Sequence, residues 1–159
     1  MNIFPSDRIN AEKGLAPRLV SALYVEAMLL ADEARGYFDE FGREERDTLT
    51  PLIRVTFSCE SLKVTTRLMH IIAWLLTWRA VEAGEIDVCE AGRPERRLGE
   101  APASEAAILE SLPERARAIV QSSIDLYERV ARLDTGMALP EMPVASPARE
   151  LLGRLAVAF

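Results

Sequence analysis

The stretch from Thr50 to Gly84 constrains the fold more than any other part of this 159-residue chain. Thr50-Pro51 reads as a helix start, because a threonine oxygen can accept from the open amides of a first turn and proline fits the first helical position. From there Leu52, Val55, Cys59, Leu62, Thr66, Met69, Ala73, Leu76 and Ala80 follow alternating steps of three and four. Ile53, Phe57, Val64, Leu68, Ile71, Ile72 and Leu75 cover much of the remaining circumference. A helix apolar around most of its surface has to be the central one, with the alternating positions as its heptad core. Gly84 ends it after about 50 Å, at about 1.5 Å per residue.

Two further helices are expected around it. The first runs from about Pro17 to about Glu45, with Leu19, Leu23, Leu30, Ala34, Tyr37 or Phe38 and Phe41 on one face and Val20 and Met28 widening the stripe. Its last turns carry an acidic ridge of Asp32, Glu33, Asp39, Glu40, Glu44 and Glu45, either a solvated face or a means of steering a basic partner. The third follows a capping box at Ser111-Leu112-Pro113-Glu114. It keeps a four-three alternation through Leu112, Ala116, Ile119, Ser123, Leu126, Val130 and Leu133, until Gly136.

Between the second and third helices, Glu85 to Ala103 has the composition of a loop, with Ile86-Asp87-Val88 as a short extended piece. Ser104 to Glu110 reads as a helical lead-in. A loop this long inside a domain points to function or disorder. The expected fold is all-α, an antiparallel, up-down-up three-helix bundle with a flexible C-terminal tail. Residues 1–14 form a loosely ordered lead-in, 15–136 the bundle, and 137–159 the tail, whose Pro140, Pro143 and Pro147 prevent any continuation of the third helix.

Composition excludes several classes of function. With 49% apolar and 28% charged residues, the chain lies in the globular range rather than the disordered one. A net charge of −6 argues against a nucleic-acid partner held through phosphates, and against an anionic membrane surface. No signal-peptide pattern opens the sequence, and Ile71-Ile72-Ala73-Trp74-Leu75-Leu76 is far shorter than the roughly 18 to 20 residues of a membrane span. The expected location is therefore the cytoplasm. There Cys59 and Cys89 stay thiols, neither forming a disulfide nor binding a metal.

The chemical inventory points to binding rather than catalysis. His70 is the one histidine, so multi-histidine metal sites and di-iron carboxylate bundles are excluded. Phosphate loops and dinucleotide turns are absent from the sequence. Neither an enzyme activity nor a cofactor is expected. One constellation stands out. Thr56, Glu60, Lys63, Arg67, His70 and Trp74 form a polar strip at steps of four and three, and Trp78 extends it. Charge mixed with aromatic anchors suits a recognition surface. The same strip also reads as the solvated side of the central helix, with Glu60 and Lys63 as a helical pair.

Leu62-Lys63-Val64-Thr65-Thr66-Arg67-Leu68-Met69, followed by Ala73-Trp74-Leu75-Leu76 and Arg79-Ala80-Val81, resembles the signature segment of the RcdA family of regulators of CtrA degradation. Arg35-Gly36-Tyr37-Phe38 and Gly84-Glu85-Ile86 are similar as well. The resemblance implies a homodimeric three-helix adaptor that brings CtrA-type cargo to the ClpXP protease. By the same resemblance it works with a CpdR-type response regulator and a PopA-type cyclic-di-GMP receptor at the cell pole, through a flexible C-terminal region important for delivery. It brings no catalytic residues with it.

The candidate partner-binding residues are Glu60, Lys63, Arg67, His70, Trp74 and Trp78 on the strip, with Leu151 and Leu155 in the tail. Ser146-Pro147 starts a short tail helix whose leucines face either the bundle or the groove of a partner. Two other classes of function remain. A small-molecule-binding or catalytic bundle would need a polar cavity around Arg67, His70 and Trp74. A DNA-binding regulator fits the acidic charge poorly.

Overall fold

The computed structural model describes residues 17–137, which are all-helical with no strand among them. The lead-in over residues 1–14 and the tail beyond residue 137, including Leu151, Leu155 and the helix start at Ser146-Pro147, lie outside the described residues. Helix α1 spans Pro17–Gly36, followed by a π-helical turn, Tyr37–Phe41, and by α2, Arg43–Thr48. Helix α3 spans Pro51–Glu82, with Pro51 in its first turn and Thr50 in extended backbone before it. Short helices α4, Val88–Ala91, and α5, Ala106–Glu110, interrupt the connection to α6, Glu114–Met137.

The long first helix expected from the sequence is thus broken between Gly36 and Gly42. The π turn rotates the chain so that Tyr37 and Phe38 point inward while Phe41 is exposed. Phe38 packs edge to face on both Tyr37 and Phe57, whose own rings are tilted, with centroids 5.1 to 6.0 Å apart. The Tyr37 hydroxyl donates to Glu45 Oε2 at 2.5 Å, and the Arg115 guanidinium lies 5.2 Å from its ring. Burial, reinforced by the Glu45 carboxylate, pushes the phenol's pKa well above its ordinary value.

Helices α1, α3 and α6 pack pairwise around the core. Their relative directions follow from residues that meet. Tyr24 stacks under Arg79, and Tyr37 lies against Phe57, so α1 and α3 run in opposite senses. Glu26 pairs with Arg129 and Tyr37 with Arg115, so α1 and α6 also oppose each other. Arg67, however, meets Ser123, and Trp74 meets Asp134, so α3 and α6 run the same way. The up-down-up expectation is therefore corrected, because the third long helix is parallel to the second.

The connection between them makes this possible. Arg97 sits beside Asp134, Gly99 beside His70 and Tyr127, Pro102 beside Arg67, and Ser104 beside Glu60. Residues 97–104 thus form a strap running back along α3. An extended chain covers about 23 Å in seven steps, which matches the about 21 Å of helix between Trp74 and Glu60. The long loop returns the chain to the end where α3 began.

Three local expectations change. Asp87 caps α4 by accepting from the Glu90 amide at 2.7 Å, so Ile86-Asp87-Val88 leads into a helix rather than a strand. The Ser111 hydroxyl donates to the Ile108 carbonyl at the end of α5. It closes that helix, and the capping box predicted for α6 is not formed. Gly136 lies inside the last turn of α6, which continues to Met137.

Gly84 has φ +73°, and a Cβ there would meet nothing within 4 Å. Gly84→Ala should cost about 1 kcal/mol, from the left-handed backbone alone. Urea denaturation measures this as a lower midpoint with an unchanged slope.

Candidate functional site

The polar strip of α3 is where the chemistry concentrates, and the structure turns it inward. Glu60, Arg67, Trp74 and Trp78 are 1%, 2%, 2% and 3% exposed, while Lys63 and His70 are half-buried. They line the seam between α3 and α6 that the strap fills. For Glu60, Arg67, Trp74 and Trp78 the expectation of a solvated, outward side of the helix is corrected, whereas Lys63 and His70 keep part of their surface open. Glu60, Lys63 and Arg67 bind the strap, Trp74 donates to Asp134 of α6, and Trp78 Nε1 is buried without a hydrogen-bond partner among the described residues.

The geometry is that of a peptide held by its backbone. Arg67 donates from Nη1 to Ser123 Oγ at 3.2 Å, and from Nη2 to the Pro102 carbonyl at 2.9 Å and Ser104 Oγ at 2.6 Å. The Ser104 hydroxyl in turn donates to Glu60 Oε2 in a short hydrogen bond. Lys63 Nζ donates to Glu60 Oε1 at 2.8 Å and to the Ala103 carbonyl at 2.9 Å. Farther along, Tyr127 donates to the Gly99 carbonyl at 2.8 Å. Asp134 Oδ1 accepts from both Trp74 Nε1 and Arg97 Nε at 2.8 Å.

Electrostatics follow from burial. Desolvation presses the pKa of Arg67 down, and the nearby Glu60 carboxylate opposes it. The hydrogen bond to Asp134 raises the pKa of Arg97. A buried guanidinium hydrogen-bonded to three acceptors beside a carboxylate stays charged, whereas one left unpaired would be very costly. At Gly99 the strap backbone passes directly over the His70 ring, where an added Cβ would collide with the imidazole.

Around Arg67, His70 and Trp74 the space that a small-molecule pocket would need is occupied by the strap. A depression of about 270 Å³ opens on its outer side, lined by Arg67, Pro102, Ser104, Ile124 and Tyr127. Among the described residues, no group of three or more His, Cys, Asp or Glu side chains could hold a metal ion. No described helix is long and apolar enough to cross a membrane.

The outward face of α3, opposite its core residues, carries the other surprise. Leu52, Val55, Leu62, Met69 and Leu76 are exposed, at 77%, 61%, 68%, 65% and 47%. The heptad read as the core of this helix faces outward, and the core is built instead by Phe57, Val64, Leu68, Ile71 and Leu75. On α1, Leu19 and Met28 are likewise exposed, while Val20, Leu23, Ala27, Leu30 and Ala34 are buried.

Sequence reasoning missed Arg97, Ser104, Tyr127 and Asp134, which lie 28 to 60 positions from the residues they bind. Two signals pointed toward them. Ser123 is a polar residue at a core step of α6, and the loop is too long for a simple turn.

Arg67→Met should lower stability by about 3 kcal/mol, near the lower end for a broken buried pair because Lys63 stays beside Glu60. Replacing Arg67 and Glu60 together by methionine should cost less than replacing Arg67 alone. Chemical denaturation of the three proteins measures both differences.

Residues 11–159 match the model of a family described as "Protein of unknown function (DUF1465)". The search of curated proteins finds no match. Among solved structures, the crystal structure of RcdA from Caulobacter crescentus CB15 is similar, with a TM-score of 0.59 and 31% identity. The match covers 77% of this chain and 93% of that one. With an all-helical core and a family match over nearly its whole length, the chain belongs to the DUF1465 family, the family of RcdA.

Proposed function

We propose that this protein is a non-enzymatic, cytoplasmic adaptor in regulated, cell-cycle-linked proteolysis, delivering regulatory proteins to the ClpXP protease. The observation that carries this reading is the 31% identity to RcdA across 93% of that protein's chain. The partners are those the resemblance implies: CtrA-type cargo, a CpdR-type response regulator and a PopA-type cyclic-di-GMP receptor, with recruitment to the cell pole. The distribution of polar groups agrees with a binding role. The ionisable side chains most deeply buried in α3 are engaged in holding the strap, and one face of α3 left open is apolar.

In this reading the organisation is a loosely ordered lead-in over residues 1–14, a bundle of three long helices over 15–136, and a delivery tail over 137–159. The protein acts as a homodimer, supported by the uncovered apolar face of α3. The strip residues Glu60, Lys63, Arg67, His70, Trp74 and Trp78 act on partner binding through the strap that Glu60, Lys63 and Arg67 hold. Leu151 and Leu155 are direct anchors, presented on one face of a tail helix.

A reconstituted degradation assay tests the proposal. Full-length protein should accelerate ClpXP proteolysis of a CtrA-type cargo when the CpdR-type and PopA-type partners are present. A chain truncated after Leu139 should keep its melting temperature and oligomeric state but lose that acceleration. No acceleration by the full-length protein would overturn the adaptor reading. A clear fall in melting temperature on truncation would assign the tail to the bundle.

A further inference from the structure

We infer that the groove between α1 and α3, on the side away from α6, is the resting place of the chain's own C-terminal segment, residues 147–158, held as a helix parallel to α1. This rests on the delivery role of the tail in the proposed function and adds where Leu151 and Leu155 lie before a partner takes them.

The groove is open because its walls are small. Ala31 and Ala34 of α1 face Ser61 and Thr65 of α3, and Leu68 and Ile72 form an apolar floor. The space is about 330 Å³. A cavity of about 150 Å³ accepts one benzene-sized group, so this one accepts about two, the number that Leu151 and Leu155 insert. Met69 is the one groove residue that also belongs to the exposed heptad face of α3, so a docked tail leaves most of that face uncovered.

Chain length selects this site and its direction. Glu26 pairs with Arg129, α6 runs eight residues beyond Arg129, and α1 begins nine residues before Glu26. The tail therefore leaves the bundle beside the start of α1, near Arg18. From Met137 to Pro147 is ten steps, at most about 35 Å of extended chain. Placing Glu150 beside Arg35 puts Pro147 level with Asp32, about 21 Å along α1 from Arg18. Crossing from α6 to the far side of the α1–α3 pair adds about 16 Å sideways, which makes a direct path of about 26 Å. That is within reach. The opposite direction, with Glu150 beside Asp39, needs Pro147 near Gly42 and a path of about 39 Å. The chain is too short for it.

Charge and helical hand agree with the direction that length selects. Helix α1 turns Ala31 and Arg35 toward the groove and Glu26 toward α6, which fixes the order of the three helices around the bundle. A right-handed helix parallel to α1, with Leu151 and Leu155 in the groove, then turns Glu150 and Arg154 toward α1. Their spacing of four matches that of Arg35 and Asp39, which both line the groove. Glu150 thus meets Arg35, and Arg154 meets Asp39. Arg35 can turn to its new partner because its bond to Asp32, at 3.3 Å, joins two side chains more than three-quarters exposed. Gly153 and the shortness of the segment keep its helix marginal in water, so docking is reversible and adds little to the melting temperature.

Disulfide trapping tests this in the full chain. With Cys59→Ser and Cys89→Ser removing both native thiols, Ser61→Cys on the α3 wall is combined with Leu152→Cys, which the same helical hand places toward α3. A second protein combines Leu152→Cys with Ala118→Cys, exposed on α6 and within reach of an undocked tail. Under oxidised glutathione the Ser61 pair should form its intrachain link at least about tenfold faster than the Ala118 pair. Glu150→Arg should slow that link, and Arg35→Glu in the same protein should restore it. Equal rates for the two pairs would remove the tail from the groove. Links forming between chains would place the tail on a second copy and overturn docking within one chain.

In the degradation assay the linked protein, freed of oxidant, should fail to deliver cargo and should recover on reduction. Delivery by the linked protein would overturn the sheltering of the leucines and leave the adaptor reading intact. No delivery by the wild-type chain, with trapping as expected, would sink the adaptor reading and leave the docked tail standing.

Discussion

The fold turns on one buried cation. Arg67 lies on the inward side of the central helix at 2% exposure, where a guanidinium without acceptors would cost more than a small domain can spare. Glu60 supplies the opposing charge, but a carboxylate alone does not fill the donor fork of an arginine. The missing acceptors come from the Pro102 carbonyl and the hydroxyls of Ser104 and Ser123. Satisfying Arg67 therefore brings the strap and α6 to the same point on α3.

This requirement sets the path of the chain. A connection bound at Arg97, Gly99, Pro102 and Ser104 has to retrace α3 from its end toward its beginning. The next helix then starts beside Phe57 and Tyr37 rather than beside Trp78. Parallel packing of α3 and α6 is the consequence, with α1 opposed to both. Trp74, Asp134 and Arg97 close one end of the strap, and Glu60, Lys63 and Ser104 close the other.

The inward polar face also explains the outward apolar one. A helix apolar over most of its circumference can direct its few polar residues either to water or to an internal partner. Here the strap takes them, and the heptad of leucines, valine and methionine is left uncovered. For a protein of the RcdA family, that division separates the groups that stabilise the protomer from those free to meet other molecules.

Local pattern determined much of this in advance. Pro51 and Gly84 mark the limits of the central helix, and the four-three alternation of Ala116, Ile119, Ser123, Leu126 and Val130 marks the buried face of α6. All-helical character and the family resemblance were legible in the same way, because periodicity and short segments are local properties. Which face of α3 is inside was not legible. Its two faces both follow three-four spacing, and only partners tens of residues away decide between them. The direction of α6 was hidden for the same reason, since it depends on where a loop lies rather than on what any helix prefers. Sequence alone specified the helices. Tertiary structure decided their order in space, because burying Arg67 and Glu60 required acceptors that no neighbour in the chain could supply.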